Sequence, residues 1–147
     1  MTAWRRKWWL PMDRALNYLA LGRKAGKLEL GEEPVGAAAR AQHARLVVVA
    51  SDASDHTWRR AKSFVAGTNQ ECIRLGYTKD QLGAAVGRQE VAVAALTDPA
   101  MALAFCKALP NPEKYAETME NLDKRTQRIN QRRREEKAHR HNKRFGK

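Results

Sequence analysis

The sequence predicts an α/β protein, with one sheet of four strands and helices on both faces. Three observations carry that prediction. Helical and strand-like segments alternate along residues 12–110, separated by glycines and capping residues. The run Arg45–Ser51 (RLVVVAS) is continuously apolar and rich in β-branched residues, the pattern of a strand buried on both faces. No segment repeats, so the alternation describes a layered fold and not a repeat array.

Taken in order, Met12–Lys24 places Leu16, Leu19 and Ala20 near helical spacing, with Asp13 in the first turn and Gly26 as the terminator. Lys27-Leu28-Glu29-Leu30 alternates and reads as a short strand. Gly31 follows, and Glu32-Glu33-Pro34 opens an alanine-rich helix to about Gln42. Proline is tolerated in a first turn, and acids there complement the helix dipole. After the buried strand, Ser54 is placed to cap a helix through Trp58, Ala61 and Val65. Glu71–Leu75 reads as a strand, Thr78 as the cap of a helix Lys79–Val86 ended by Gly87, and Gln89–Leu96 as a strand. Asp98-Pro99 opens a further helix to about Leu109.

The character changes after Pro110-Asn111-Pro112. Tyr115, Met119, Leu122 and Ile129 form one narrow stripe of a helix. Beyond Ile129 the only aliphatic residue is Ala138, and residues 124–147 hold 11 basic and 2 acidic side chains. Such a segment buries too little apolar surface to order by itself. Residues 111–147 are therefore expected as a basic helical tail, partly disordered.

The bulk numbers narrow the function classes. A 147-residue chain is one domain by default, and burial of roughly 68–70% of its unfolded surface lets it fold without disulfide or metal. Cys72 and Cys106 stand far apart and read as small apolar residues, in keeping with a reducing cytoplasm. The basic, Trp-rich extension of residues 1–11 has only Trp8-Trp9-Leu10 as an apolar core, short of the roughly 7–15 residues of a signal peptide. Met12-Asp13 looks like a natural start for the domain, so residues 1–11 are expected to be an upstream extension of the reading frame. Nothing approaches the roughly 18 apolar residues of a membrane span. The formal charge is +12 at pH 7. Of this, +3 lies in residues 1–11, +3 in residues 12–110 and +6 in residues 111–147. Basic ends on a near-neutral body point to a polyanionic partner.

Local motifs for other chemistry are weak. Gly22–Leu28 (GRKAGKL) has three residues between its glycines and Leu28 after Lys27, so it lacks the phosphate-loop pattern and reads as a helix cap with solvated lysines. Asp52, Asp55 and His56 could be taken for a metal site, but Asp52 and Ser54 read first as turn and cap residues and His56 as a first-turn surface residue. No Ser/His/Asp or Cys/His set carries a motif around it, so neither catalysis nor a cofactor is expected. Trp4, Trp8 and Trp9 interleave with Arg5, Arg6 and Lys7, a pattern equally suited to stacking on bases, to packing on the domain or to a membrane surface. Trp58 reads as a core residue.

Three segments together, GRKAGKLELGEE, ARLVVVASDAS and LGAAVGRQEVAVAALTDP, resemble the kink-turn RNA-binding ribosomal protein family, the L-seven-Ae family, and its small bacterial branch in particular. The resemblance covers about Met12–Leu109. It implies a three-layer α-β-α sandwich with a four-stranded mixed sheet over residues 12–110. It also implies recognition of RNA at a sharp kink flanked by sheared G·A pairs. The family's site lies where strand 1 meets helix 2, facing the loop before the last strand. The family pattern there is glycine, threonine, asparagine, glutamate, two variable positions and lysine. Gly31 matches; Glu32 stands at the threonine, Glu33 at the asparagine, Pro34 at the glutamate and Ala37 at the lysine. Glu33 can accept from a guanine N–H but cannot donate to O6.

The resulting expectation is a cytoplasmic, monomeric, non-catalytic protein whose partner is structured RNA, ribosomal RNA among the candidates. Gly31, Glu32 and Glu33 with Arg88 and Val91 form the expected recognition surface, Val91 packing on a flipped base. Lys24, Lys27 and Arg40 are the expected nearby cations. Lys124, Arg125, Arg128, Arg132, Arg133 and Arg134 are expected on phosphates, making binding salt dependent. The rival class is a protein-interaction module that docks on ribosomal or RNA-processing proteins, with the Tyr115–Ile129 stripe as its partner helix.

Overall fold

The computed structural model describes residues 13–144; the expected N-terminal extension, with Trp4, Trp8 and Trp9, lies outside the described residues. The order of elements is α1 (Arg14–Lys24), β1 (Leu28–Leu30), α2 (Glu32–Arg40), β2 (Leu46–Val49), α3 (Asp55–Val65), β3 (Glu71–Arg74), α4 (Lys79–Val86), β4 (Val93–Leu96), α5 (Pro99–Lys107), a 3₁₀ turn (Pro112–Tyr115) and α6 (Ala116–Arg144).

The four strands form one mixed sheet in the order β1-β4-β2-β3. β4 runs antiparallel to both β1 and β2, while β2 and β3 are parallel. All four residues of β2 and all four of β4 are buried, as central strands covered on both faces should be. α2 and α3 pack together on one face, and α1, α4 and α5 on the other, with α6 against α5. This is a three-layer α/β/α fold.

The helix ends follow their sequence signals. Ser54 Oγ accepts from Thr57 N at 3.1 Å, Asp98 Oδ2 accepts from Met101 N at 3.0 Å, and Thr78 with Gln81 makes a reciprocal capping box. Gly87, at φ +76°, ends α4 in the left-handed conformation. Asp13 is the N-cap of α1 and not a first-turn residue, since its Oδ1 accepts from Ala15 N and Leu16 N. The same oxygen accepts from the Tyr77 hydroxyl at 2.7 Å, which ties α1 to the end of β3.

Two expectations are corrected. The last strand is Val93–Leu96, not Gln89–Leu96. Residues 88–90 are held across α4 instead, with Arg88 N donating to Gly83 O at 2.8 Å. The Tyr115–Ile129 stripe is not an unpartnered face. Leu122 is fully buried, Met119 packs on the core, and Tyr115 Oη donates to Arg74 O at 2.9 Å. The stripe is thus part of the domain's own packing. α6 continues through the basic run to Arg144, and every side chain from Asn130 to Lys143 is exposed.

Candidate nucleic-acid interface

Strand pairing defines two ends of the sheet. Leu28, Leu46, Glu71 and Leu96 line up at one end; Leu30, Val49, Arg74 and Val93 stand at the other. A strand of this length separates the ends by roughly 10–13 Å.

The α2 mouth lies at the Val93 end. Gly31 N donates to Val93 O at 3.0 Å, so the chain leaves the sheet edge directly into the helix. Gly31 sits at φ +93°, a conformation suited to glycine, and serves as the N-cap. It offers no side chain to cap the helix, and Pro34 has no N–H to offer. The amides of Glu32 and Glu33 thus open outward at the positive end of the helix dipole. Glu33 is exposed. Glu32 is engaged, its carboxylate 3.5 Å from Arg60 Nε, and Arg60 also lies over the Phe64 ring at 5.6 Å. Arg60 is a cation at this mouth that sequence reasoning missed. It sits a full helix away in sequence, and only the packing of α3 on α2 brings it there.

The loop that leads into β4 is set by Gly83. A Cβ there would meet Arg88 O and Glu90 Cα at 2.7 Å, so the 88–90 backbone rests directly on α4. Arg88, Gln89 and Glu90 are exposed. Val91 is 6% exposed and belongs to the core, which corrects its expected role as an open apolar platform. Its N–H donates to Lys79 O, turning the side chain inward.

The other expected residues divide differently. Lys27 precedes β1 at the Leu28 end, 3.9 Å from Asp98, and Lys24 is the last residue of α1, just before the turn that leads to it. Arg40 closes α2, a helix whose nine residues run roughly 13 Å back from Gly31, and its guanidinium folds toward Gly36. These three cations are therefore not gathered with Gly31. Arg125, Arg128 and Arg132 lie on α6 beside Gln42, Arg45 and Asn69, again at the Leu46 end. Lys124 lines the adjoining hollow and pairs with Glu120 at 3.3 Å, while Arg133 and Arg134 are exposed.

The remaining candidates have structural work. Asp52 Oδ1 accepts from Lys79 N at 2.8 Å, helping to start α4. Arg74 donates to Ser51 O and Ala53 O and lies over the partly buried Trp58 ring. Burial raises the pKa of both Cys72 and Cys106 to about 12, so neither is an activated thiol. Among the described residues no group of acids, histidines and cysteines is arranged to hold a metal. No helix among them is long and apolar enough to cross a membrane.

Comparison with known proteins gives similarity of two kinds, in sequence and in fold. No family model matches the chain. The RNA-binding protein YlxQ of Enterococcus faecium is 36% identical over 63 residues, which is 43% of this chain and 61% of that protein. The chain thus spans about three fifths of the length of this curated relative. A Bacillus halodurans protein of unknown function superposes with a TM-score of 0.61 at 26% identity, covering 65% of this chain and 96% of that one. The Giardia lamblia 15.5kD RNA binding protein superposes with a TM-score of 0.52 at 18% identity, covering 69% of this chain and 86% of its own. At that identity the likeness is one of fold.

Proposed function

We propose that this chain is a non-catalytic RNA-binding protein of the kink-turn-binding family. It recognises kinked or otherwise structured RNA at the β1–α2 junction and grips phosphates with its basic C-terminal helix. The observation that carries the reading is the open N-terminus of α2: Gly31 leaves the first-turn amides uncapped beside the exposed Arg88–Glu90 loop. That arrangement offers donors to an RNA backbone and the Glu33 carboxylate to guanine N–H groups. Bent or unpaired RNA exposes such edges, whereas the deep major groove of regular A-form duplex hides them. The pairing of Glu32 with Arg60 removes one of the two negative charges that would oppose phosphate. Similarity to an RNA-binding relative supports the same partner class, and the formal charge of +12 suits it.

The test is titration of the full chain against a kink-turn RNA and a regular duplex of equal length at several salt concentrations. Preference for the kink, retained as salt rises, is the expected result. Equal affinity for both, lost with the basic end of α6, reduces the protein to a nonspecific phosphate binder.

A further inference from the structure

The cleft at the Leu46 end of the sheet is the strongest unassigned feature of the molecule. It lies between α6 and the loops that precede β2 and β3, and Gln42, Arg45, Asn69, Arg125, Arg128 and Arg132 line it. Its walls are braced. Gln70, only 4% exposed, accepts from Ala44 N at 2.9 Å and donates to Ala39 O at 3.1 Å and Thr68 Oγ1 at 3.3 Å. Both loops are thus held to one buried amide, and the Arg45 backbone is fixed between them.

The arginines of this cleft stand without a salt bridge: among the described residues, no carboxylate lies within ion-pair distance of Arg45, Arg125, Arg128 or Arg132. Arg45 Nε and Arg125 Nη1 are buried and have no hydrogen-bond partner. Such orphaned donors are uncommon in folded proteins and call for a missing acceptor. Burial, then the Arg45 guanidinium, lower the Arg125 pKa from its ordinary value; Glu71 opposes this and Arg128 adds to it. The cleft therefore gathers several guanidinium groups, two of them with a spare buried donor, against Glu71, which lines the adjoining hollow beside Arg125 and Arg128 without pairing with either.

We infer that this cleft is a phosphate-binding site, in which Arg45 and Arg125 supply the buried donors and Arg128 and Arg132 close over the anion. Guanidinium forks match phosphate oxygens in geometry and charge. The site rests on the RNA-binding reading only for the source of its phosphate, which is a phosphodiester of bound RNA. It lies at the opposite end of the sheet from Gly31. An RNA held at both places must pass alongside the domain, so the basic helix acts as a positioned second contact and not as a loose tail.

The experiment compares the parent protein with the Arg45→Gln/Arg125→Gln double variant. An Arg14→Gln/Lys107→Gln double variant, both positions exposed and outside either site, matches the change in charge. RNA affinity is followed by anisotropy across a salt series, and melting temperature is measured in inorganic phosphate against chloride of equal ionic strength. Loss of like-charge repulsion keeps the first variant folded. It is expected to bind RNA about tenfold more weakly than the charge-matched control, with a salt slope shallower by about 1.4–1.8. It is also expected to lose the thermal stabilisation that phosphate gives the parent. If the phosphate response is lost while RNA affinity follows the control, the site stands and its ligand is a free anion. If both measurements follow the control, the site is refuted whatever RNA the protein binds. A parent that binds no RNA yet is stabilised by phosphate through Arg45 and Arg125 refutes the proposed function and leaves the site standing.

Discussion

Gly83 offers a direct test of how the candidate interface is built. The Gly83→Ala change adds one carbon where Arg88 O and Glu90 Cα stand at 2.7 Å and Gln89 C at 2.8 Å. All three are main-chain atoms, so no rotamer change relieves the clash; either the 88–90 segment lifts or α4 shifts. Overpacking of this kind costs roughly 1–3 kcal/mol. Alanine in a helix interior returns about 0.5–1 kcal/mol relative to glycine. The net expectation is a loss of roughly 1–2 kcal/mol, or about 3–10 °C in melting temperature for a domain of this size. The natural control is Gly36→Ala. Its Cβ would approach Phe64 Cζ at 3.2 Å, an aromatic ring end that can move, so a clearly smaller loss is expected. Urea unfolding followed by circular dichroism measures both. Because the displaced segment leads into β4, whose Val93 bonds Gly31 at the α2 mouth, Gly83→Ala should also weaken kink-turn RNA binding where Gly36→Ala does not. A Gly83→Ala protein as stable as the parent, binding RNA equally well, refutes the reasoning.

Three further expectations follow from individual groups. Gln70→Leu orphans the Ala44 N–H and takes one donor from Ala39 O, which keeps its bond from Gln42 N; it should cost about 1–3 kcal/mol in denaturant titration. Both cysteine pKa values are raised from 9.0 to about 12 by burial. The folded state therefore keeps these protons longer than the unfolded chain. The stabilisation is complete below pH 9 and is lost as pH rises toward 12. Thiol labelling at pH 8 should be slow in native buffer and fast in denaturant, and unfolding midpoints should fall above pH 9. Glu33→Asn removes an exposed carboxylate from the α2 mouth and adds a donor for guanine O6. It should tighten kink-turn binding by about tenfold, the worth of one good polar contact of about 1.4 kcal/mol, while leaving duplex binding little changed.

The secondary structure was legible because its signals are local. Ser54, Thr78 and Asp98 each bond an amide three residues on, so a reader of the chain needs only that spacing. The strand after α4 was read too long because the apolar alternation of Val91 and Val93 extends past the point where pairing stops. What stops it is contact between residues 88–90 and Gly83, a neighbour in space whose role no periodicity reveals. Val91 was misplaced for the same reason: its apolar character was evident, its inward direction was not.

The candidate site was legible only in outline. The resemblance points to the Gly31 mouth, yet Lys24, Lys27 and Arg40, close to Gly31 in sequence, stand toward the other end of the sheet, while Arg60, 29 positions from it, pairs with Glu32. Nearness along a chain predicts nearness in space only within one element. A three-residue strand followed by a nine-residue helix carries the backbone out and back across the whole domain.

The amino-acid sequence by itself determined the layered α/β class, the Ser54 and Thr78 caps, the burial of β2 on both faces and the basic character of the C-terminal helix. Each is a property of periodicity, turn chemistry or charge, and these act over a few residues. Tertiary structure alone decided which cations share an end of the sheet, that the α6 stripe is covered, and that Arg45 meets Arg125. Those outcomes depend on the strand order β1-β4-β2-β3 and on long-range packing, which bring together residues that share no local signal.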